Sequence, residues 1–211
     1  MKKIISALCI GFLLCFVLNV HMDTTEAALA KGIIRLHVVA NSDSEADQAL
    51  KLKVRDRILS ECSDEFSAAN NIDAVSADIS TNLLYIKKQA EDEIAKNGYD
   101  YTVDVSYGTQ SFPRKSYGDI TFPEGDYQAL KVVIGQGSGK NWWCVLFPPL
   151  CFVDEACVSV DAQSQQYLKN QLGSETYSMV TDGVEFKLKS YELWQSGKEL
   201  VSNAMMQLGL R

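Results

Sequence analysis

The hydrophobic period of this chain changes at Tyr101, and no other feature narrows the fold as much. Upstream, Ile72, Val75, Ile79, Leu83, Ile86, Ala90 and Ile94 step by three or four, the spacing that lines one face of an α-helix. Gly98 after Asn97 supplies a C-terminal stop, so the stripe predicts a helix over 71–97, roughly 40 Å long if unbroken at about 1.5 Å per residue. Downstream the period is two. "YTVDVSY" alternates Val103 and Val105 with Asp104 and Ser106, "YGDITF" is bounded by Gly118 and Pro123, and "YQALKVVI" sets Leu130, Val132 and Ile134 on one parity. "WWCVLF" is the last strong strand. Short turns at Glu124-Gly125-Asp126 and from Gly135 to Asn141 predict antiparallel hairpin neighbours.

Two helical segments and one more strand flank this core. "IIRLHVV", Ile33 to Val39, is β-branched and apolar, with Arg35 and His37 on one parity, which predicts a strand with one more solvated face. Ser44 and Asp47 have the spacing of a capping box. Leu50, Val54, Ile58 and Cys62 then recur every four residues, with Lys51, Lys53, Arg55 and Arg57 outside the stripe. Residues 154–181 are polar, with a short helix expected around Gln163 to Leu172. From Asp182 the spacing turns helical again through Val184, Leu188, Tyr191, Trp194, Val201, Met205 and Leu208, with Asp182 and Glu185 at its start and Gly197 weakening its middle. The order predicts an α+β fold: a single domain with a mainly antiparallel sheet of about four to five strands and helices packed on one face.

The N-terminus argues for export. Lys2 and Lys3 precede a mostly apolar run from Ile4 to Val20, and Ala27-Ala28-Leu29-Ala30 offers small-residue cleavage chemistry. The run is slightly long for a signal peptide and slightly short for a comfortable membrane span, so residues 1–30 read as a signal peptide or an uncleaved N-terminal anchor. Either way, residues 31–211 form the exported domain. Leu14 stands before Cys15 where lipidation would want a small residue. Removing residues 1–30 takes away Lys2, Lys3, Asp23 and Glu26 and leaves the net charge at −7. An acidic domain of this kind argues against nucleic acid as a partner and for protein.

Chemistry is hard to place. "GQGSGKN", 135–141, tempts a phosphate-loop reading, but Ile134 and Asn141 stand where that motif needs Gly and Ser or Thr, and a strand rather than a helix follows. An exported hydrolase would need Cys144 or Ser42 as nucleophile with His37, the one histidine after the leader, as its base. Nothing in the spacing brings them together. The cysteines lack zinc spacing, and the carboxylates Asp43, Glu45 and Asp47, or Glu91, Asp92 and Glu93, are explained by helix starts and solvated faces. No catalytic residue, metal, cofactor or small-molecule substrate is called for. Cys144, Cys151 and Cys157 are disulfide candidates whose pairing the sequence leaves open, and Pro148 and Pro149 argue against Cys144 and Cys151 facing each other across a tight hairpin. Adjacent tryptophans on a strand point to opposite faces. Trp142, Trp143, Phe147, Pro148 and Pro149 are therefore candidates for a protein contact, since aromatic and rigid residues favour recognition.

Three long blocks, "IRLHVVANSDSEADQALKLKVRD" at 34–56, "YGDITFPEGDYQALKVVIG" at 117–135 and "GKNWWCVLFPPLCFVD" at 139–154, together resemble the stage II sporulation protein R family. "FKLKSYELW" at 186–194 matches more loosely, and residues 155–180 carry no such signal. The resemblance implies a secreted signalling protein of sporulation, made in the forespore and exported into the intermembrane space between the septal membranes. Its implied partner is a membrane-embedded sporulation aspartic protease, whose activation leads to processing of pro-sigma-E. A ligand of that sort needs no active site of its own.

Overall fold

β1 (Ile34–Val39) is the strand around which the domain is assembled, and all six of its residues are buried. It runs parallel to β5 (Gly125–Ile134) on one side and antiparallel to β6 (Asn141–Phe147) on the other. β2 (Val103–Phe112) closes the far side of β5 in antiparallel register, giving the order β2-β5-β1-β6. The α+β reading therefore stands, with one parallel pairing in a mostly antiparallel sheet. The computed structural model describes residues 11, 29–68, 71–151, 160 and 162–181. The rest of the apolar leader, Cys157, the side chain of Cys62 and the helix expected from Asp182 and Glu185 onward lie outside the described residues.

The hairpins expected at two turns do not form. β1 lies between β5 and β6, so residues 135–140 arch over its end instead of joining lateral neighbours. The arch bonds to the chain leaving β1: Gly139 N donates to Ala40 O at 3.0 Å and Ser138 N to Asn41 O at 3.2 Å. Gly137 adopts a φ of 60°, and a Cβ on Gly139 would strike the carbonyl oxygen of Ser42. Glycine here serves close approach between two loops. Likewise β4 (Ile120–Phe122) pairs with β3 (Lys115–Tyr117) and not with β5, which follows it. Turn residues report that the chain reverses, whereas adjacency is decided by which strand buries the most apolar surface.

Three helices cover one sheet face. α1 (Glu45–Ala68) is capped by Ser44, whose Oγ accepts from Asp47 N at 3.1 Å. The stripe from Ile72 to Ile94 divides into α2 (Ile72–Thr81) and α3 (Leu83–Lys96), not one rod. Asn82 makes the break: at φ −100° and ψ 12° its N–H reaches Asp78 O and Ile79 O, and its side chain donates to Asp78 Oδ1 at 2.8 Å. The stripe survives the break because Val75, Ile79, Ile86, Ala90 and Ile94 are all buried. They join Leu50, Val54 and Ile58 in one core with Leu36, Val38, Leu130, Val132, Ile134 and Cys144 of the sheet.

The opposite face is not the more solvated one that Arg35 and His37 predict, for both are buried. Tyr117 and Phe122 of the β3–β4 hairpin lie over Arg35, and Trp143 lies over His37. α4 (Ala162–Thr181) packs beside β4; it continues past the expected Leu172, interrupted where Gly173 takes φ 74°. Val160 N anchors its approach by donating to Asp119 Oδ1 at 3.0 Å. At the other end, residues 29–32 form a helical turn that seats Leu29 in the core.

Candidate functional site

The sheet face away from α1–α3 gathers the unusual chemistry of the molecule. Arg35 is fully buried, with Nη2 donating to Tyr117 OH at 3.0 Å and its guanidinium 4.2 Å from the Phe112 ring centre and 4.9 Å from that of Tyr127. Its Nε and Nη1 have no hydrogen-bond partner among the described residues. Cation–π attraction, stronger where water is excluded, is what the cage offers in place of a carboxylate. Two residues along β1, His37 stacks on Trp143 with ring centres 3.7 Å apart and 17° between planes. Its Nε2 is bonded to Asn141 Oδ1 at 2.8 Å. Burial holds the His37 pKa below its ordinary 6.5, Lys131 adds to that, and the Asn141 bond opposes it.

Trp142 and Trp143 take opposite faces, as strand geometry requires, and each is half-buried. Trp142 lies on the helix side, under the Arg55 guanidinium at 4.2 Å. Phe147 is 3% exposed and meets Tyr167 of α4 edge-on at 4.7 Å. Pro148, joined to Phe147 by a cis peptide, is buried as well, so neither residue presents the contact surface expected of it. Pro149 is exposed. The contact reading of this segment thus narrows to Trp143 and Pro149, with Trp142 partly covered.

Cys144 and Cys151 form a disulfide, Cα to Cα 5.0 Å. They do not face each other across two strands. Residues 148–151 curl back beside β6, Leu150 N donating to Val145 O at 3.1 Å, and the sulfurs meet over that bend. Closing so short a loop contributes roughly 2–3 kcal/mol by the loop-entropy relation.

The hydrolase constellation is not assembled. Cys144 is committed to the disulfide and shares the face of its strand partner Leu36, opposite to His37. The Ser42 hydroxyl donates to Asp47 Oδ2 at 2.5 Å, and hydrogen bonds from Ser42 and Asn41 hold that carboxyl below the usual range. His37 is bonded to Asn141. What surrounds Ser42 is instead a clasp between two loops: Asn41 Oδ1 accepts from Gln136 N, Asp43 Oδ1 from Lys140 N, and Lys51 Nζ donates to Lys140 O at 3.0 Å. Lys51 is therefore buried despite lying off the apolar stripe, and burial lowers its pKa. Its role, like that of Arg35, escapes sequence reading, because the groups that surround both residues come from far along the chain. Only the Ser-rich loop before α1 hints at the clasp.

Residues 30–157 match the family model for stage II sporulation protein R. The chain belongs to the stage II sporulation protein R family. A relative of that name from Bacillus subtilis (strain 168) is 41% identical over 121 residues, which are 57% of this chain and 54% of the relative. The chain thus spans about half the length of the curated relative it matches. No solved structure matches it. The family match takes in β1–β6, the clasp and the disulfide, whereas α4 lies beyond it.

Proposed function

We propose that the chain is a secreted intercellular signal of sporulation that works by binding. On this reading it is made in the forespore and reaches the intermembrane space through its N-terminal leader, released as a soluble domain or held by that leader. There it activates a membrane-embedded aspartic protease of the mother cell, leading to processing of pro-sigma-E. The observation that carries the reading is the family match over the whole sheet domain, and the relative's name supports the link to sporulation. The commitment of Cys144 to a disulfide and of Ser42 to Asp47 supports a ligand over a hydrolase. Activation by a ligand requires tighter binding to the protease's active state than to its idle one.

Trp143 is the residue best suited to that contact. It is half-buried, stacked on His37, and close in sequence to the exposed Pro149. The test is a reconstituted assay with the purified full chain, the protease in vesicles and pro-sigma-E cleavage as readout. Trp143→Ala is expected to lower activation at least about tenfold, a hot-spot loss, with far less effect on the melting temperature. Trp142→Ala, under Arg55, is expected to act the other way, on stability first. Normal activation by a well-folded Trp143→Ala protein would remove the segment from the contact, and failure of the wild-type chain to activate would overturn the reading itself.

A further inference from the structure

Among the described residues β2 is an edge strand, ten residues long, whose pairing with β5 is unbroken from Val103↔Ile134 to Phe112↔Gly125. Gly135 N donates to Thr102 O at 2.8 Å, which fixes the phase of the ladder. Hydrogen-bonded and non-hydrogen-bonded pairs alternate in an antiparallel sheet, so Asp104, Ser106, Gly108, Gln110 and Phe112 bond inward to β5. The N–H and C=O groups of Val103, Val105, Tyr107, Thr109 and Ser111 point away from it. Edges of this length are ordinarily blunted by lysine, proline or a bulge, and β2 has none of the three.

The outward set is symmetric about Tyr107. Two copies of β2 laid antiparallel on that centre would pair Val103 with Ser111, Val105 with Thr109 and Tyr107 with its own equivalent, making about ten inter-chain hydrogen bonds. Asp104, the strand's one charge, would face the uncharged Gln110 of the other copy at each end, so no like charges meet. Nearby α3 carries both signs, with Lys87 and Lys88 paired to Glu91 and Asp92. We infer that β2 is the interface for a second copy of this chain, joining two four-stranded sheets into one of eight strands about a two-fold axis. Such an interface is isologous and self-limiting. It lies on the opposite sheet edge from Trp143, so it does not depend on the signalling reading.

The test follows sedimentation of the purified full chain across a concentration series, with hydrogen exchange of the 103–112 amides read alongside. A concentration-dependent dimer is expected in which the Val105, Tyr107 and Thr109 amides exchange more slowly as protein concentration rises. Gln110→Lys sets an ammonium against the partner's Asp104 and should tighten the dimer about three- to tenfold; Gln110→Asp should weaken it by a similar factor. Gln110 is half-buried beside Tyr127, its partner on β5, and both changes leave every β2–β5 backbone bond in place. A monomer at every concentration overturns the inference. So does a dimer whose affinity ignores both substitutions and whose β2 amides exchange unchanged, since that dimer would use another surface.

Discussion

The two faces of the sheet are made from the same four strands and are held by different physics. On the helix side, Leu36, Val38, Leu130, Val132 and Ile134 meet the apolar stripes of α1–α3, and burial alone explains the contact. On the other side, Arg35 and His37 occupy equivalent inward positions of β1, and each is kept there by aromatic rings supplied from elsewhere. One face is redundant, with many interchangeable aliphatic contacts. The other is specific, each polar group depending on particular partners: four rings around Arg35, and Trp143 with Asn141 at His37. Stability should therefore concentrate on the helix side and sensitivity to conditions on the other.

Leu36→Ala tests the first half of that contrast and should be the largest effect. Leu36 is fully buried on a central strand, so truncation is expected to cost about 2–5 kcal/mol in urea unfolding. A loss under about 1 kcal/mol would mean that the helices settle into the gap and the face is more plastic than it looks. A smaller effect should come from pH. Because the folded chain disfavours the charged imidazole of His37, the unfolded chain takes up the proton first. Stability is then complete above 6.5, the ordinary histidine value, and declines as pH falls below it. Melting temperatures between pH 7 and 5 should fall for the wild type and fall less for His37→Gln; parallel curves would separate His37 from the acid sensitivity. The smallest effect is expected next door. Arg35→Met keeps most of the volume and removes a buried charge that, among the described residues, hydrogen-bonds only to Tyr117, so stability should stay within about 1 kcal/mol of the wild type or rise. A loss as large as that of Leu36→Ala would show that the aromatic cage is built for the cation.

Legibility in the sequence followed the same division. The stripes from Val75 to Ile94 and from Leu130 to Ile134 announced themselves because helix and strand periods are local, and their residues are buried as expected except Leu83, which is partly buried. The break at Asn82 was hidden, since the stripe carries straight through it. Adjacency in the sheet was hidden too: the glycines of 135–139 signal a reversal, but only the bonds to Ala40 and Asn41 say that β1 lies beneath them. Among the contact candidates, opposite faces for Trp142 and Trp143 followed from strand geometry. The burial of Phe147 and Pro148 did not, because Tyr167 arrives from a helix some twenty residues later in sequence. The cage around Arg35 had no local signal at all; its rings lie at 112, 117, 122 and 127.

The central place of β1 also orders events in time. β1 leaves the ribosome ahead of both its neighbours, β5 and β6, so its ladder cannot close until residue 147 has followed. Until then Ile34–Val39 is an apolar segment bare on both edges, open to any strand that happens by. A chain halted short of Asn141 would keep one of those edges exposed for good, which makes β6 the strand that renders β1 harmless.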